Sequence, residues 1–320
     1  MELKTPLGKS NLRVPRMGVG AMVWGTPKGL ARLHPAQTAY GGAHGIEEER
    51  RAVEMSIDAG VNLFDTAAMY SSGAAERRLG ELTRGRDVII ATKYPGGFSF
   101  KAEDFPKELE LTLSRVGRDS IDLYQHHYPN GRLSISRLMD FVADAVDAGK
   151  VNAVGVSNYS AGQMREAHAA LAKRGIPLAS NQVEYSLLHR KPEVNGVMDA
   201  CRELGITLIA YSPLAGGRLT GKYSAQNRPG GFFRRVLPQY NRRALEAIQP
   251  VIGSLRSIGE KYGKTASQVA LRWLIENPLV LPIPGAKNGK QAMDNAQALT
   301  FSLTAEDVDR LRQATLRWRV

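Results

Sequence analysis

Eight short apolar runs, most of them separated by stretches with apolar residues at helical spacing, constrain this chain more than any other feature. The runs are Arg16–Ala21, Val61–Asp65, Val88–Lys93, Ile121–His127, Val151–Ser157, Leu178–Val183, Ile206–Tyr211 and Val280–Pro284. Runs this short and this apolar read as buried strands. Asp58-Ala59-Gly60, Asp147-Ala148-Gly149-Lys150, Lys173-Arg174-Gly175 and Leu204-Gly205 stand just before four of them. Glycine there supplies the left-handed residue that closes a helix. Glu47–Ala59, Ala75–Thr83, Phe105–Val116, Ile135–Ala148, Ala161–Ala172 and Pro192–Leu204 read as helices, with Ser160 and Thr265 as N-caps. Strand–helix alternation repeated eight times predicts an α/β fold, a (β/α)8 TIM barrel, with residues 1–320 as one domain. An open doubly wound sheet would want Gly-x-Gly-x-x-Gly after its first strand. Gly18-Val19-Gly20 is followed by Ala-Met-Val, so that fingerprint is missing.

Three segments exceed a minimal barrel. Residues 2–14 are expected to form an N-terminal β-hairpin, turning at Gly8-Lys9-Ser10-Asn11 and plugging the barrel floor. Residues 25–46 and 212–241 are expected to be long loops after the first and seventh strands. Both leave the carboxyl end of a strand, the face where barrel enzymes keep their sites.

Composition narrows the function classes. An apolar content of 43% excludes a disordered chain. The net charge of +12 is mostly dispersed, with Arg234-Arg235 and Arg242-Arg243 standing out as short clusters, which predicts a solvated basic surface and no nucleic-acid partner. No stretch approaches the ~20 apolar residues of a membrane span, so no membrane partner is expected. The start has no apolar signal region, and Cys201 is the only cysteine, so a cytoplasmic location is expected. No metal is expected.

The residues that close the runs carry the chemistry. In a barrel they sit together on the catalytic rim. Here they are Asp65 (with Tyr70 in the next loop), Lys93, His127, Ser157-Asn158, Gln182 and Tyr211. Four different ionisable types ending neighbouring strands suit carbonyl reduction. The carbonyl oxygen gains negative charge as hydride reaches its carbon, and needs a proton donor. A free tyrosine, with a pKa of ~10, is a weak acid for that task. Lys93, held by Asp65, is expected to lower the pKa of Tyr70, and His127 to orient the substrate oxygen. A Schiff-base role for Lys93 fits less well, because Asp65 and Tyr70 would keep it protonated. Trp24, Tyr94, Phe98 and Tyr128 follow strand ends and are expected to wall the substrate pocket.

Several motifs in order resemble the aldo-keto reductase family from about residue 3 to about residue 315. They are Asp65-Thr66-Ala67-Ala68-Met69-Tyr70, Ala91-Thr92-Lys93, Asp122-Leu123-Tyr124-Gln125-His126-His127-Tyr128-Pro129, Gly155-Val156-Ser157-Asn158, Tyr211-Ser212-Pro213-Leu214 with Leu219-Thr220-Gly221-Lys222, and Pro282-Ile283-Pro284-Gly285-Ala286-Lys287. The resemblance implies a catalytic tetrad of Asp65, Tyr70, Lys93 and His127. The family pattern, histidine then an aromatic then proline, selects His127 over His126. Tyr128 stands where the family more often has tryptophan.

The resemblance also implies NADP(H), preferred over NAD(H). Ser157, Asn158 and Gln182 would bind the nicotinamide carboxamide, and Tyr211 would stack on its ring. Ser212, Leu214, Gly216 and Gly217 would line the diphosphate with Arg218 and Lys222, although the family often has arginine at position 216. Lys287, Lys290, Gln291 and Asn295 would form the adenosine phosphate clamp, with Gly20 and Gly285 alongside. The implied reaction is NADPH-dependent reduction of a small-molecule aldehyde or ketone, in the style of pyridoxal reductases. A nucleotide-sensing subunit of the channel β-subunit type is the second role the resemblance allows.

Overall fold

A computed structural model of the chain describes residues 4–26, 45–95, 100–130, 134–230 and 232–320. Two antiparallel strands come first, β1 (Thr5–Pro6) and β2 (Arg13–Val14). Eight parallel strands follow: β3 (Val19–Gly20), β4 (Leu63–Asp65), β5 (Ile89–Tyr94), β6 (Ile121–His126), β7 (Val151–Ser157), β8 (Leu178–Glu184), β9 (Thr207–Tyr211) and β10 (Val280–Pro282). They lie side by side in chain order from β3 to β10. The sheet meets its own beginning through a parallel bridge between Gly20 and Gly285, with Gly18 N and Gly20 N donating to Pro282 O and Pro284 O, each at 3.0 Å. The expected barrel forms, and the solved structures it superposes on share that fold. Ladder pairing trims the first run from Arg16–Ala21 to two residues and the last from Val280–Pro284 to three.

Helices fill the spaces between strands: α1 (Ile46–Asp58), α2 (Ala74–Thr83), α3 (Phe105–Val116), α4 (Ile135–Asp147), α5 (Ala161–Ala172) and α6 (Val197–Leu204). Ser160 and Thr265 cap as expected, each in a capping box with the glutamine three residues on. The helix expected over Pro192–Leu204 instead splits into a short 3-10 turn and α6, because Gly196 adopts a left-handed φ of 85°. The long segment after β9 is not structureless. It holds a 3-10 turn over Ala215–Thr220 and the short helix α7 (Phe232–Val236). Most of the expected 25–46 loop lies outside the described residues.

Period-2 alternation builds the barrel interior in layers. The hairpin supplies Leu7 and Val14, and the strands supply Leu63, Ile89, Ala91, Leu123, Ala153, Ala179, Ile209 and Leu281; together they form a closed apolar floor. Gly8 N donates to Thr207 Oγ1 at 2.8 Å and pins the hairpin under β9. Two residues further along the same strands, on the same face, come Asp65, Lys93, Gln125, Gly155 and Tyr211. The sequence thus changes from apolar to polar in one step across the barrel, and the floor keeps water from the underside of that polar layer. Leu7 is completely buried in the floor, so Leu7→Ala is expected to cost about 2–5 kcal/mol. Urea unfolding of the variant would measure it; a cost below about 0.5 kcal/mol would mean the hairpin is a peripheral flap.

Candidate active site

Asp65 closes β4 and Lys93 lies one residue from the end of β5, so the parallel register brings both into the barrel. Lys93 Nζ donates to Asp65 Oδ1 at 2.5 Å and to Thr66 O at 2.7 Å. Neither group is more than a few per cent exposed. The second carboxylate oxygen, Oδ2, accepts from Gln182 Nε2 at 2.8 Å and Gln125 Nε2 at 3.2 Å. A buried ion pair survives only when its remaining lone pairs are met in this way.

Tyr70 follows β4 on a 3-10 turn whose next two residues, Ser71 and Ser72, have φ of 50° and 53°. Its ring lies with the Lys93 ammonium 5.0 Å from the centroid and the His127 ring edge-on at 5.7 Å. The four tetrad candidates are therefore neighbours. Burial, then the carboxylate of Asp65, then Tyr128 push the Tyr70 phenol well above its ordinary pKa. This corrects the expectation that Lys93 lowers it. The ammonium lies over the ring face and spends its charge on Asp65 and Thr66. Tyr70 is thus held firmly in the protonated form, the state from which a general acid must start.

His127 and His126 separate cleanly. His127 is buried beside Tyr70, and its pKa is pushed down to about 2 by burial, then by Lys93 and His126. Its Nδ1 finds no hydrogen-bond partner among the described residues. Tyr128, 44% exposed, stacks on it at 4.4 Å. His126 faces the opposite way. Its ring stacks on Tyr94 at 5.1 Å, its Nδ1 meets the Tyr159 hydroxyl at 2.8 Å, and burial takes its pKa to about 3.

The pocket aromatics divide. Tyr94 is next to Lys93 in a strand and so must face the other side. It packs against Phe105 of α3 and Tyr124, both at 4.9 Å, and is a packing residue between barrel and helices, not a pocket wall. Trp24 is also buried. Its Nε1 donates to Ala286 O at 2.8 Å, which ties the chain after β3 to the chain after β10. Phe98 lies outside the described residues.

On the far side of the rim, Ser157 Oγ donates to Gln182 O at 2.8 Å, and Asn158 Nδ2 donates to His127 O at 3.1 Å. Tyr211 OH donates to Asn158 Oδ1 at 3.1 Å. Ser157, Asn158, Gln182 and Tyr211 thus form one network that ends on the backbone of His127. Past β9 the chain turns through positive φ at Ser212, Ala215, Gly216 and Gly217, and Leu214 stays half-buried between them. Arg218 Nε bonds Ala215 O within the turn. Arg234, from α7, reaches back to Gly216 O, Tyr223 OH and Tyr240 OH. Lys222 lies close to Gly217, over the Tyr223 ring at 4.8 Å. Half-buried Lys287 has its pKa lowered by burial, then by Arg234, then by Lys222. Arg234 and Lys222 thus flank one glycine turn, and the charges of both are felt at Lys287.

Other expected cofactor residues have local duties. Lys290 stands 82% exposed and pairs with Asp294 at 2.6 Å, away from the cluster. Gln291 accepts from Lys287 N at 3.0 Å while its own N–H bonds the helix cap Asn288. Asn295 donates to Gly285 O at 3.2 Å, and Gly20 and Gly285 form the closing bridge of the barrel. Sequence reasoning missed Gln125 and Arg234. The first is visible as a polar residue inside an apolar run, the second only as half of an Arg-Arg pair. Among the described residues no group of His, Cys, Asp and Glu could hold a metal ion, and no helix is long and apolar enough to cross a membrane.

Known proteins are similar to this chain in sequence and fold. A sequence model described as the Aldo/keto reductase family matches residues 16–315. The chain is 34% identical over 324 residues to the chloroplastic pyridoxal reductase of Arabidopsis thaliana, covering 95% of this chain and 84% of that one. It is 33% identical over 322 residues to the Schizosaccharomyces pombe aldo-keto reductase yakc, whose name carries NADP(+), covering 95% and 89%. A solved thermostable aldo-keto reductase, bound to the inhibitor epalrestat, superposes with a TM-score of 0.75 at 26% identity, covering 98% and 99%.

The histidines give a pH prediction. An unfolded histidine has a pKa of ~6.5, whereas folded His126 and His127 lie near 3 and 2. Below pH ~6.5 the unfolded chain therefore binds protons that the folded protein refuses. The two histidines leave stability untouched above that pH and lower it, by up to about 1.4 kcal/mol per pH unit each, as pH falls toward the folded values. In an NMR titration neither imidazole should titrate between pH 8 and 5; a midpoint near 6.5 for His127 would contradict its neutral burial.

Proposed function

The chain belongs to the Aldo/keto reductase family, and from that premise we propose that it reduces an aldehyde or ketone to the alcohol with NADPH, Tyr70 giving the proton. The observation that carries this reading is the packing of Tyr70 between the Lys93 ammonium and a neutral His127, over a buried Asp65–Lys93 pair.

The residues around the site fit a nicotinamide dinucleotide. The positive-φ turn after β9, with Lys222 and Arg234 beside it and Lys287 near enough to feel both charges, suits a polar, anionic ligand. Ser157, Asn158 and Gln182 would hold the carboxamide, and Tyr211 would face the ring. Lys222 and Arg234, flanking Gly216 and Gly217, would hold the diphosphate, and Lys287 the 2′-phosphate. When bound, the cofactor supplies the hydride. His127, neutral, hydrogen-bonds the substrate oxygen and orients it. As the carbonyl carbon accepts hydride, Tyr70 passes its phenolic proton to the oxygen, and the tyrosinate left behind faces Lys93 until solvent returns the proton. The rim outside this centre carries exposed Met69 and Tyr128, which suits an apolar or aromatic carbonyl. The lone cysteine, Cys201, is buried, which supports a reducing, cytoplasmic setting.

Two outcomes test the proposal. Tyr70→Phe should bind NADPH as before while kcat falls by about 10²–10⁴, the usual worth of a general acid; an unchanged kcat on a panel of aldehydes would remove Tyr70 from the chemistry. Lys287→Ala should weaken NADPH by roughly 10–150-fold and barely alter NADH, because only the former has the extra phosphate. Lys222→Ala and Arg234→Ala should weaken both. Equal losses for both cofactors in Lys287→Ala, measured at fixed ionic strength, would place the 2′-phosphate elsewhere.

A further inference from the structure

Gln125 is completely buried in the middle of the barrel and belongs to none of the groups assigned above. It sits on β6 in register with Lys93 of β5 on one side and Gly155 of β7 on the other. Its Nε2 lies 3.2 Å from Asp65 Oδ2, and its Oε1 lies 3.3 Å from Gln182 Nε2, which is itself 2.8 Å from the same Oδ2. A carboxylate can only accept, so both amides must turn nitrogen toward it. The three side chains form a closed triangle with one consistent set of donors.

Space for this triangle comes from β7, the strand between the two glutamines. A Cβ on Gly155 would stand 2.8 Å from Gln125 Cγ and 2.4 Å from Ser180 Oγ. Any side chain at position 155 would displace Gln125. A leucine or methionine at 125 would fill similar volume with no polar group to satisfy, so packing alone gives no reason for an amide here.

We propose that Gln125 is a positioning residue: its amide fixes Asp65 Oδ2, and through it the orientation of the Asp65–Lys93 pair beside Tyr70. This rests on the reductase reading of the site. Gln125 and Gln182 are the only donors to Oδ2 among the described residues. Gln182 also has a proposed duty toward the nicotinamide carboxamide. Gln182 has its Oε1 for that duty, whereas both ends of the Gln125 amide are given to Asp65 and Gln182.

The test compares wild type, Gln125→Met and Gln125→Glu as full-length protein, with NADPH and 4-nitrobenzaldehyde. Gln125→Met removes the donor at similar volume. Its kcat should fall about tenfold or more at every pH, the worth of a bond to a charged group, with Kd for NADPH within twofold. Gln125→Glu keeps the shape. Protonated, its O–H can replace the amide donor; ionised, it repels Asp65, and that neighbour raises its pKa. Its kcat should approach wild type at low pH and fall as pH rises, a limb absent from both other proteins. A Gln125→Met kcat within twofold of wild type, or a Gln125→Glu profile parallel to wild type, overturns the proposal; should Gln125→Met fail to fold, the Gln125→Glu profile decides. If wild type reduces no carbonyl, the reductase reading fails by itself. Gln125 is then judged by NMR of 13Cε-lysine, where a Lys93 titration that coincides in wild type and Gln125→Glu overturns positioning and a displaced midpoint supports it.

Discussion

Two opposite charges, Asp65 and Lys93, lie in the centre of a protein interior, and the rest of the molecule is arranged so that they can stay there. Taking a carboxylate and an ammonium out of water costs several kcal/mol per ion, and a bare pair would recover that poorly. Here each charge has more than one partner: Lys93 has Asp65 and Thr66 O, and Asp65 has Lys93 and two amides. Below, the apolar floor of hairpin and strand residues seals the layer from solvent. The low dielectric that makes the pair expensive also gives its field reach at Tyr70 and His127, which lie where the pair meets the open rim.

Backbone strain follows the same geography. Among the described residues, the non-glycine residues with positive φ are Ser71, Ser72, Asn158, Ser212 and Ala215, and every one lies beyond the carboxyl end of β4, β7 or β9. Among the described residues none lies at the floor. A left-handed residue other than glycine costs on the order of 1–3 kcal/mol, and persists only when its surroundings fix it. Asn158 shows how: its backbone N–H bonds Gln182 O, its amide bonds His127 O, and its carbonyl oxygen accepts from Tyr211. The stable floor carries the strained rim.

Much of this was legible in the sequence because strands and their ends obey local rules. The polar residue at the end of each apolar run pointed to Asp65, Lys93, His127 and Gln182 without any knowledge of distance. The misreading of Tyr94 came from ignoring alternation inside a strand: if Lys93 points inward, its neighbour cannot. The expectation for Lys290 could have been adjusted from Asp294 one helical turn on, a favourable pairing that draws the ammonium along the helix surface. The partners of Arg234 and Gln125 were beyond local rules. The partner of the first, Gly216, is 18 residues away, and Asp65 lies 60 residues before Gln125. The amount of charge Lys93 keeps for Tyr70 also depends on a contact angle that no spacing encodes.

The bridge between Gly20 and Gly285 has a bearing on how the chain comes off the ribosome. Synthesis delivers β3 long before its bridging partner, which follows after more than two hundred and fifty intervening residues. Until Gly285 emerges, one side of β3 has no neighbour, and its amides at Gly18 and Gly20 have yet to meet the carbonyls of Pro282 and Pro284. A growing sheet with an open edge is a template for pairing with another chain. The barrel is thus at its most exposed while it is being made, and the segment from Pro282 to Gly285 serves as the clasp that ends that period.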